Sequence, residues 1–151
     1  MVLNSVNVAS TGAGTLTIIL SDTDFISNGP GVLATNIGGT LPRSPGGTLS
    51  AITWKDPSNT EFGLSGFHSS PTLTFTGTGS FSGSTSNSHG ALGIYSMIEG
   101  VTIAFNGPGT ASFDYSADNT LVPEPSSLTL AVLGVLGLVG NGPRRRKALG
   151  A

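Results

Sequence analysis

The chain has 151 residues, and only 9% of them are charged, compared with about 25% in an average globular protein. It contains no cysteine, which excludes disulfide bonds and thiolate chemistry. Four of the six basic residues stand together at Arg144–Lys147, so the preceding part of the chain, which holds all eight acidic residues, is acidic. This distribution predicts no nucleic-acid partner.

Short segments in which apolar and polar residues alternate follow one another along the first 120 residues. The first is Thr15–Leu20, where Leu16, Ile18 and Leu20 share one face, as a half-buried β-strand requires. Three later segments alternate clearly and three alternate weakly. The clear ones are Pro71–Thr76, Gly100–Asn106 and Ala111–Tyr115, and the weak ones are Val32–Asn36, Thr48–Trp54 and Leu92–Ile98.

Turn-forming residues separate these segments. Asn106-Gly107-Pro108-Gly109 joins two clearly alternating runs and predicts a β-hairpin. Gly77–Gly90 is almost entirely small and polar, and it predicts a long surface loop or a poorly ordered edge. Leu92–Ile98 also fits one face of a helix, so its structure stays open. The other predicted turns are Asn28–Gly31, Gly38-Gly39, Pro45–Gly47 and Asp56–Asn59.

About seven short strands separated by turns predict an all-β fold, an antiparallel β-sandwich, over residues 1–120. A second unit, residues 121–151, has a different composition and predicts a tail that contains a C-terminal hydrophobic helix.

The sequence of the body contains no recognisable catalytic, cofactor-binding or metal-binding pattern. His68 and His89 stand in Gly/Ser-rich stretches, and neither has a second ligand at metal-binding spacing. Asp22 and Asp24 are better explained as turn residues than as calcium ligands. We therefore expect a protein that is not an enzyme and binds no cofactor.

The tail has three consecutive parts. Pro123-Glu124-Pro125 is extended because each proline fixes its own backbone angle. Leu128–Gly140 is an uncharged apolar run that, as a helix, would be about 20 Å long, and about 27 Å with its flanks. A basic cluster follows. Since the run is apolar on all sides, a membrane-inserted helix is favoured over a helix buried against the sandwich.

The predicted membrane segment has eight large apolar residues: Leu128, Leu130, Val132, Leu133, Val135, Leu136, Leu138 and Val139. The basic residues that would stay on the cytoplasmic side are Arg144, Arg145, Arg146 and Lys147.

This tripartite tail resembles the PEP-CTERM sorting signal of exported Gram-negative bacterial proteins. The matching residues are Pro123-Glu124-Pro125, the apolar run Leu128–Gly140 and the cluster Arg144–Lys147, although Asn141-Gly142-Pro143 interrupts the usual passage into that cluster. The resemblance implies that an exosortase in the inner membrane processes the chain near the Pro-Glu-Pro element. It also implies a protein of the cell envelope that is anchored in the inner membrane before processing and later lies at the surface or outside the cell.

Residues Met1–Ser10 do not resemble a Sec signal peptide, because they contain no basic residue and no sustained apolar run. We therefore expect the export signal to lie upstream of Met1.

Two functional hypotheses follow, and a third is weaker. The first is a non-enzymatic envelope or matrix protein associated with exopolysaccharide or biofilm. The second is a carbohydrate-binding or adhesive module in which Trp54, Tyr95 or Tyr115 contacts sugar. The third, a hydrolase that uses scattered acidic residues, has no carboxylate pair to support it.

Overall fold

The structure, a computed structural model, describes residues 1–64 and 68–122, and the predicted C-terminal helix lies outside these ranges. Within them the chain forms nine β-strands. In chain order they are β1 (Val2–Ser10), β2 (Gly14–Ser27), β3 (Gly31–Leu41), β4 (Gly47–Asp56), β5 (His68–Ser69), β6 (Leu73–Gly77), β7 (Gly79–His89), β8 (Gly93–Phe105) and β9 (Gly109–Leu121). The described residues include no helix that is long and apolar enough to cross a membrane.

The strands form two sheets in which every recorded pair is antiparallel. The first sheet has the strand order β1-β9-β3-β7. The second sheet has the order β2-β8-β4, and both β5 and β6 pair with β4. The predicted all-β, antiparallel fold is therefore confirmed.

The connections between strands pass from one sheet to the other, except around β4, β5 and β6. The predicted hairpin at Asn106-Gly107-Pro108-Gly109 is wrong for this reason: β8 belongs to the second sheet and β9 to the first. The turn residues are present as predicted, but they connect strands of different sheets. Asn106 N–H donates to the carbonyl oxygen of Gly46 at 3.2 Å, which ties this connection to the one before β4.

Two other sequence-based expectations need correction, and one that was left open is decided. Gly77–Gly90 is not a loop, because Gly79–His89 forms β7, which pairs with β3 along its length from Leu41↔Gly79 to Gly31↔His89. It is, however, an edge strand. Gly38-Gly39 lies inside β3 and makes no turn. Leu92–Ile98, for which both a strand and a helix were considered, is a strand, since every residue except Leu92 belongs to β8, which begins at Gly93 and ends at Phe105.

The interior is apolar at one end of the sandwich and partly polar at the other. A large cluster includes Val101, Ile103, Phe105, Phe113 and Tyr115, the residues whose alternation predicted inward faces. A smaller cluster consists of Leu33, Tyr95, Met97 and Ala117. The buried polar residues include Thr35, Thr53, Lys55, His89 and Glu99, several of which are fully buried.

Candidate functional site

The Lys55 side chain is the centre of a polar cluster inside the sandwich. It is fully buried on β4, and its Nζ donates to Nε2 of His89 at 2.7 Å and to Oδ1 of Asn119 at 2.6 Å. His89 is on β7 and Asn119 on β9, both in the first sheet, whereas β4 belongs to the second. The cluster therefore bridges the two sheets.

The tautomer of the His89 ring follows from its contact with the main chain. Nδ1 lies 2.6 Å from the carbonyl oxygen of Gly90, which can only accept, so Nδ1 carries the proton. The lone pair of Nε2 then faces the Lys55 ammonium group. Nε2 is also 2.7 Å from Oδ1 of Asn119, so the imidazole contacts both partners of the Lys55–Asn119 hydrogen bond.

Burial lowers the pKa of Lys55 from its ordinary value of 10.5 to about 8. Its Nζ lies 5.1 Å from the centroid of the Tyr95 ring, a cation–π contact that accompanies the two hydrogen bonds. At pH 7 roughly one lysine in ten is then a neutral amine with a free lone pair. The cluster consequently holds a potential nucleophile beside a side-chain amide.

The two histidines, which are 21 positions apart in sequence, are neighbours in the structure. Their ring centroids are 6.4 Å apart, because His68 on β5 pairs with Lys55 and His89 ends β7. The sequence spacing gave no sign of this proximity. Among the described residues, however, no group of three His, Asp or Glu side chains is arranged to hold a metal ion.

Glu99 is a second buried titratable group. It is fully buried on β8 opposite Thr53, where burial outweighs the favourable effects of the N-terminal ammonium group and the Ala117 backbone on the charged form. Burial raises its pKa from 4.5 to about 7. Nearby, Thr53 shares hydrogen bonds with Tyr115 Oη at 2.6 Å and Thr35 at 3.0 Å, and burial raises the pKa of Tyr115 above its ordinary value.

The outer face of the second sheet carries two rows of short side chains. The strand register places one residue from each of β2, β8, β4 and β6 in a row. The first row is Thr17, Thr102, Ser50 and Thr74, and the second is Thr15, Ala104, Thr48 and Thr76. Hydroxyl groups contact each other across strands, for example Thr17 with Thr102 at 3.1 Å and Ser50 with Thr74 at 3.3 Å. We call this surface the threonine face.

Trp54 lies on the same outer face and is half-buried. Its ring covers Gly100 so closely that a Cβ on that glycine would be 2.6 Å from Cζ3 of the ring. Ile19, in register with Gly100, is 52% exposed beside it. Tyr95 and Tyr115 are fully buried, so the expectation that they contact sugar is wrong and only Trp54 remains available.

The outer face of the first sheet is also polar and nearly uncharged. Alternate residues of β7 are serines that face outward, and a shallow depression of about 500 Å³ lies among the lining residues Asn36, Ser82, Ser84 and Asp114. Residues 1–64 and 68–122 contain two basic residues apart from the histidines. Arg43 is exposed and Lys55 is buried.

The predicted sorting residues lie outside the described ranges: Pro123, Glu124 and Pro125, the apolar run, and the basic cluster. β9 ends at Leu121, and the N–H of Val122 donates to the carbonyl oxygen of Pro30 at 2.9 Å. The described structure therefore stops directly before the Pro-Glu-Pro element.

A family model described as the PEP-CTERM protein-sorting motif matches residues 121–146. This range includes Pro123-Glu124-Pro125, the apolar run and the three arginines, and it ends one residue before Lys147. No curated protein matches the chain. The match implies a secreted, envelope-associated protein and processing by exosortase. The chain therefore carries a PEP-CTERM sorting motif at residues 121–146, which supports an exported protein that is targeted to exosortase, and its described residues form a β-rich fold.

Proposed function

We propose that the protein is a non-enzymatic component of the cell envelope or extracellular matrix that associates with exopolysaccharide in a biofilm. In this proposal the apolar helix Leu128–Gly140 anchors the chain in the inner membrane until exosortase processes it, after which the sandwich lies at the surface or outside the cell. The observation that carries the proposal is the sorting motif, which follows immediately after the last strand of a β-sandwich.

The chemistry of the two outer faces supports a polysaccharide partner. Both present hydroxyl groups and very few charges, and adjacent strands in a sheet are about 4.8 Å apart, which gives the hydroxyl rows a regular spacing. Neutral polysaccharides also offer hydroxyl groups that donate and accept hydrogen bonds. Such contacts depend less on ionic strength than contacts between charged groups do.

The delivery step is tested by removing residues 123–151. This truncation keeps β9 and the hydrogen bond from Val122 to Pro30. With an export signal supplied, we expect the full chain to lose mass and to reach the surface in a host that contains exosortase, whereas the truncated chain keeps its mass and does not become envelope-associated. Fractionation and intact-mass spectrometry measure both effects.

Two controls make the delivery result specific. A full-length variant with alanine at Pro123, Glu124 and Pro125 retains the apolar run and the basic cluster, and we expect it to remain unprocessed. The unaltered chain should also remain unprocessed in a host from which exosortase has been deleted. Equal mass and equal location of the full and truncated chains would contradict the proposal.

A second candidate function is glycan binding through the threonine face, and the position of Trp54 favours it. A flat aromatic ring next to rows of hydroxyl groups can stack on a sugar ring while the hydroxyl groups bind its substituents. Unlike the matrix proposal, this one requires a defined binding site.

We expect Trp54→Ala to weaken glycan binding by about tenfold, which corresponds to about 1.4 kcal/mol. Trp54→Phe, which keeps an aromatic ring, should retain most of the affinity. Ser82→Ala on the outer face of the first sheet is a matched surface control and should bind like the unaltered protein. Glycan arrays followed by calorimetry measure the affinities, and thermal unfolding checks that each variant is folded. Equal affinity of all four proteins would exclude the threonine face.

A further inference from the structure

We propose that Lys55 and Asn119 form an intramolecular isopeptide bond, with release of ammonia, that joins β4 of the second sheet to β9 of the first. Nζ of Lys55 is 2.6 Å from Oδ1 of Asn119. Since the amide carbon is bonded to that oxygen, the amine lies next to the carbon that it would attack. This inference concerns the sandwich alone and does not depend on the proposed function.

The surroundings of Lys55 favour the neutral, nucleophilic amine. Its hydrogen-bond partners among the described residues are His89 and Asn119, and neither is a carboxylate that would hold the charged form. Burial of the side chain also disfavours the ammonium form. A buried lysine without an ion-pair partner is costly to keep charged, whereas an amide at the same place carries no charge.

His89 is placed to move the protons that the reaction requires. Its Nε2 is 2.7 Å from Nζ of Lys55 and 2.7 Å from Oδ1 of Asn119, while Gly90 fixes the ring through Nδ1. Proton transfer between groups at such distances is the arrangement found in general acid–base catalysis. A single imidazole can therefore accept a proton from the amine and return one to the amide.

The steps balance without any further reactant. Nε2 of His89 takes a proton from the ammonium group of Lys55, and the resulting amine attacks the side-chain carbonyl carbon of Asn119. The imidazolium stabilises the developing charge on Oδ1. The carbon–nitrogen bond to the amide NH₂ then breaks as that nitrogen takes up two protons, one from the imidazolium and one from the attacking nitrogen, and it leaves as ammonium. The products are one secondary amide and one ammonium ion, so the protein loses the mass of one ammonia molecule, His89 is neutral again, and nothing is oxidised or reduced.

Lys55 is closed off from solvent, whereas Asn119 lines a pocket. Lys55 is fully buried and His89 is 7% exposed, which limits access of water to the new bond. A pocket of about 270 Å³ is lined by Asn119, Tyr95 and Asp118, among others, and it gives ammonia a route out of the interior. In a chain without cysteine, such a bond would supply the covalent link between sheets that a disulfide provides elsewhere.

Intact-mass spectrometry of the full chain, produced in a host without exosortase, tests the proposal. We expect the mass to be lower than the sequence mass by one ammonia molecule. Trypsin should cut the denatured chain after Arg43 but not after Lys55, so that residues 44–144 remain one peptide, and fragmentation should place the link between Lys55 and Asn119.

Variants separate this bond from other losses of ammonia, such as succinimide formation at Asn-Gly sequences. Lys55→Met and Asn119→Ala should keep the full sequence mass. Asn119→Asp should give the same final mass as the unaltered protein, because water leaves instead of ammonia. His89→Ala should slow the reaction at least tenfold in a time course of mass. A full sequence mass with cleavage after Lys55, or loss of ammonia that persists in Lys55→Met, would overturn the proposal.

Discussion

Replacing Glu99 with glutamine is expected to raise the free energy of unfolding at pH 8 by up to about 3 kcal/mol. The carboxyl group is fully buried, and burial raises its pKa from 4.5 to about 7. At pH 8 it must therefore be ionised inside the protein, which is unfavourable. Glutamine has nearly the same shape and remains neutral.

The same shift predicts how stability depends on pH. The pKa of Glu99 is higher in the folded than in the unfolded protein, so the folded protein binds more protons between pH 4.5 and about 7. The free energy of unfolding should consequently be highest below pH 4.5, decrease as pH rises to about 7 and then level off. Glu99→Gln should remove this decrease and should differ little from the unaltered protein near pH 4.5.

Urea denaturation between pH 4 and pH 8 measures both effects. Glu61→Gln is a suitable control, because Glu61 is an exposed carboxylate in the connection between β4 and β5 and its replacement should change stability by less than about 0.5 kcal/mol. If the Glu99→Gln variant and the unaltered protein lose stability in parallel across this pH range, Glu99 is not the group responsible.

Lys55 adds a contribution of opposite sign at higher pH. As a free amine its pKa is lowered to about 8, so before the isopeptide bond forms the unfolded protein binds more protons between pH 8 and 10.5, and the stability of that form should rise over that range. An isopeptide bond would abolish this rise, since an amide nitrogen does not titrate. The free energy of unfolding measured above pH 8 therefore tests independently whether Lys55 is bonded to Asn119.

Replacing Gly39 with alanine is expected to destabilise the protein by about 3 kcal/mol. A Cβ at this position would collide with the carbonyl oxygen of Ser112 and would lie 2.8 Å from Cα of Phe113. Both atoms belong to the backbone of β9, which is fixed by its pairing with β3 and β1. The strand cannot move aside without disturbing the centre of the first sheet.

Gly38→Ala provides the matched control for this substitution. The adjacent glycine faces outward, and its Cβ would be 3.6 Å from the nearest atom, the carbonyl oxygen of Phe81, which is an ordinary contact. We expect a change within about 0.5 kcal/mol. Urea denaturation of the two variants compares them directly, and equal stabilities would show that β3 and β9 are not as close at Gly39 as described.

Alternation of apolar and polar residues predicted the inward faces of the strands well. Val101, Ile103 and Phe105, and likewise Phe113 and Tyr115, are buried as expected, because each side of a strand meets a different environment. The same rule, continued beyond the predicted segments, places Lys55 on the inward face of β4 and Asn119 on that of β9. His89 could not be placed in this way, because it lies on β7, which the alternation did not predict.

The sequence did not predict that these three residues meet, because their meeting depends on topology. Short turns specify where a strand ends, but they do not specify which sheet receives the next strand. This is why Asn106-Gly107-Pro108-Gly109 was interpreted as a hairpin although it crosses between sheets. The strand β7 was missed for a related reason: its serines and glycines have little intrinsic preference for a strand, and pairing with β3 determines its conformation.

The position of β9 has a consequence for the order of events during export. Although it is the last strand along the chain, it lies between β1 and β3 and hydrogen-bonds to both. The first sheet therefore cannot close until Gly109–Leu121 has crossed the membrane, when translocation has already reached the sorting motif. Until then the earlier strands lack their central partner, and long-range pairing of this kind is slow. In an exported chain we therefore expect the first sheet to form only when the segment that directly precedes the Pro-Glu-Pro element has emerged.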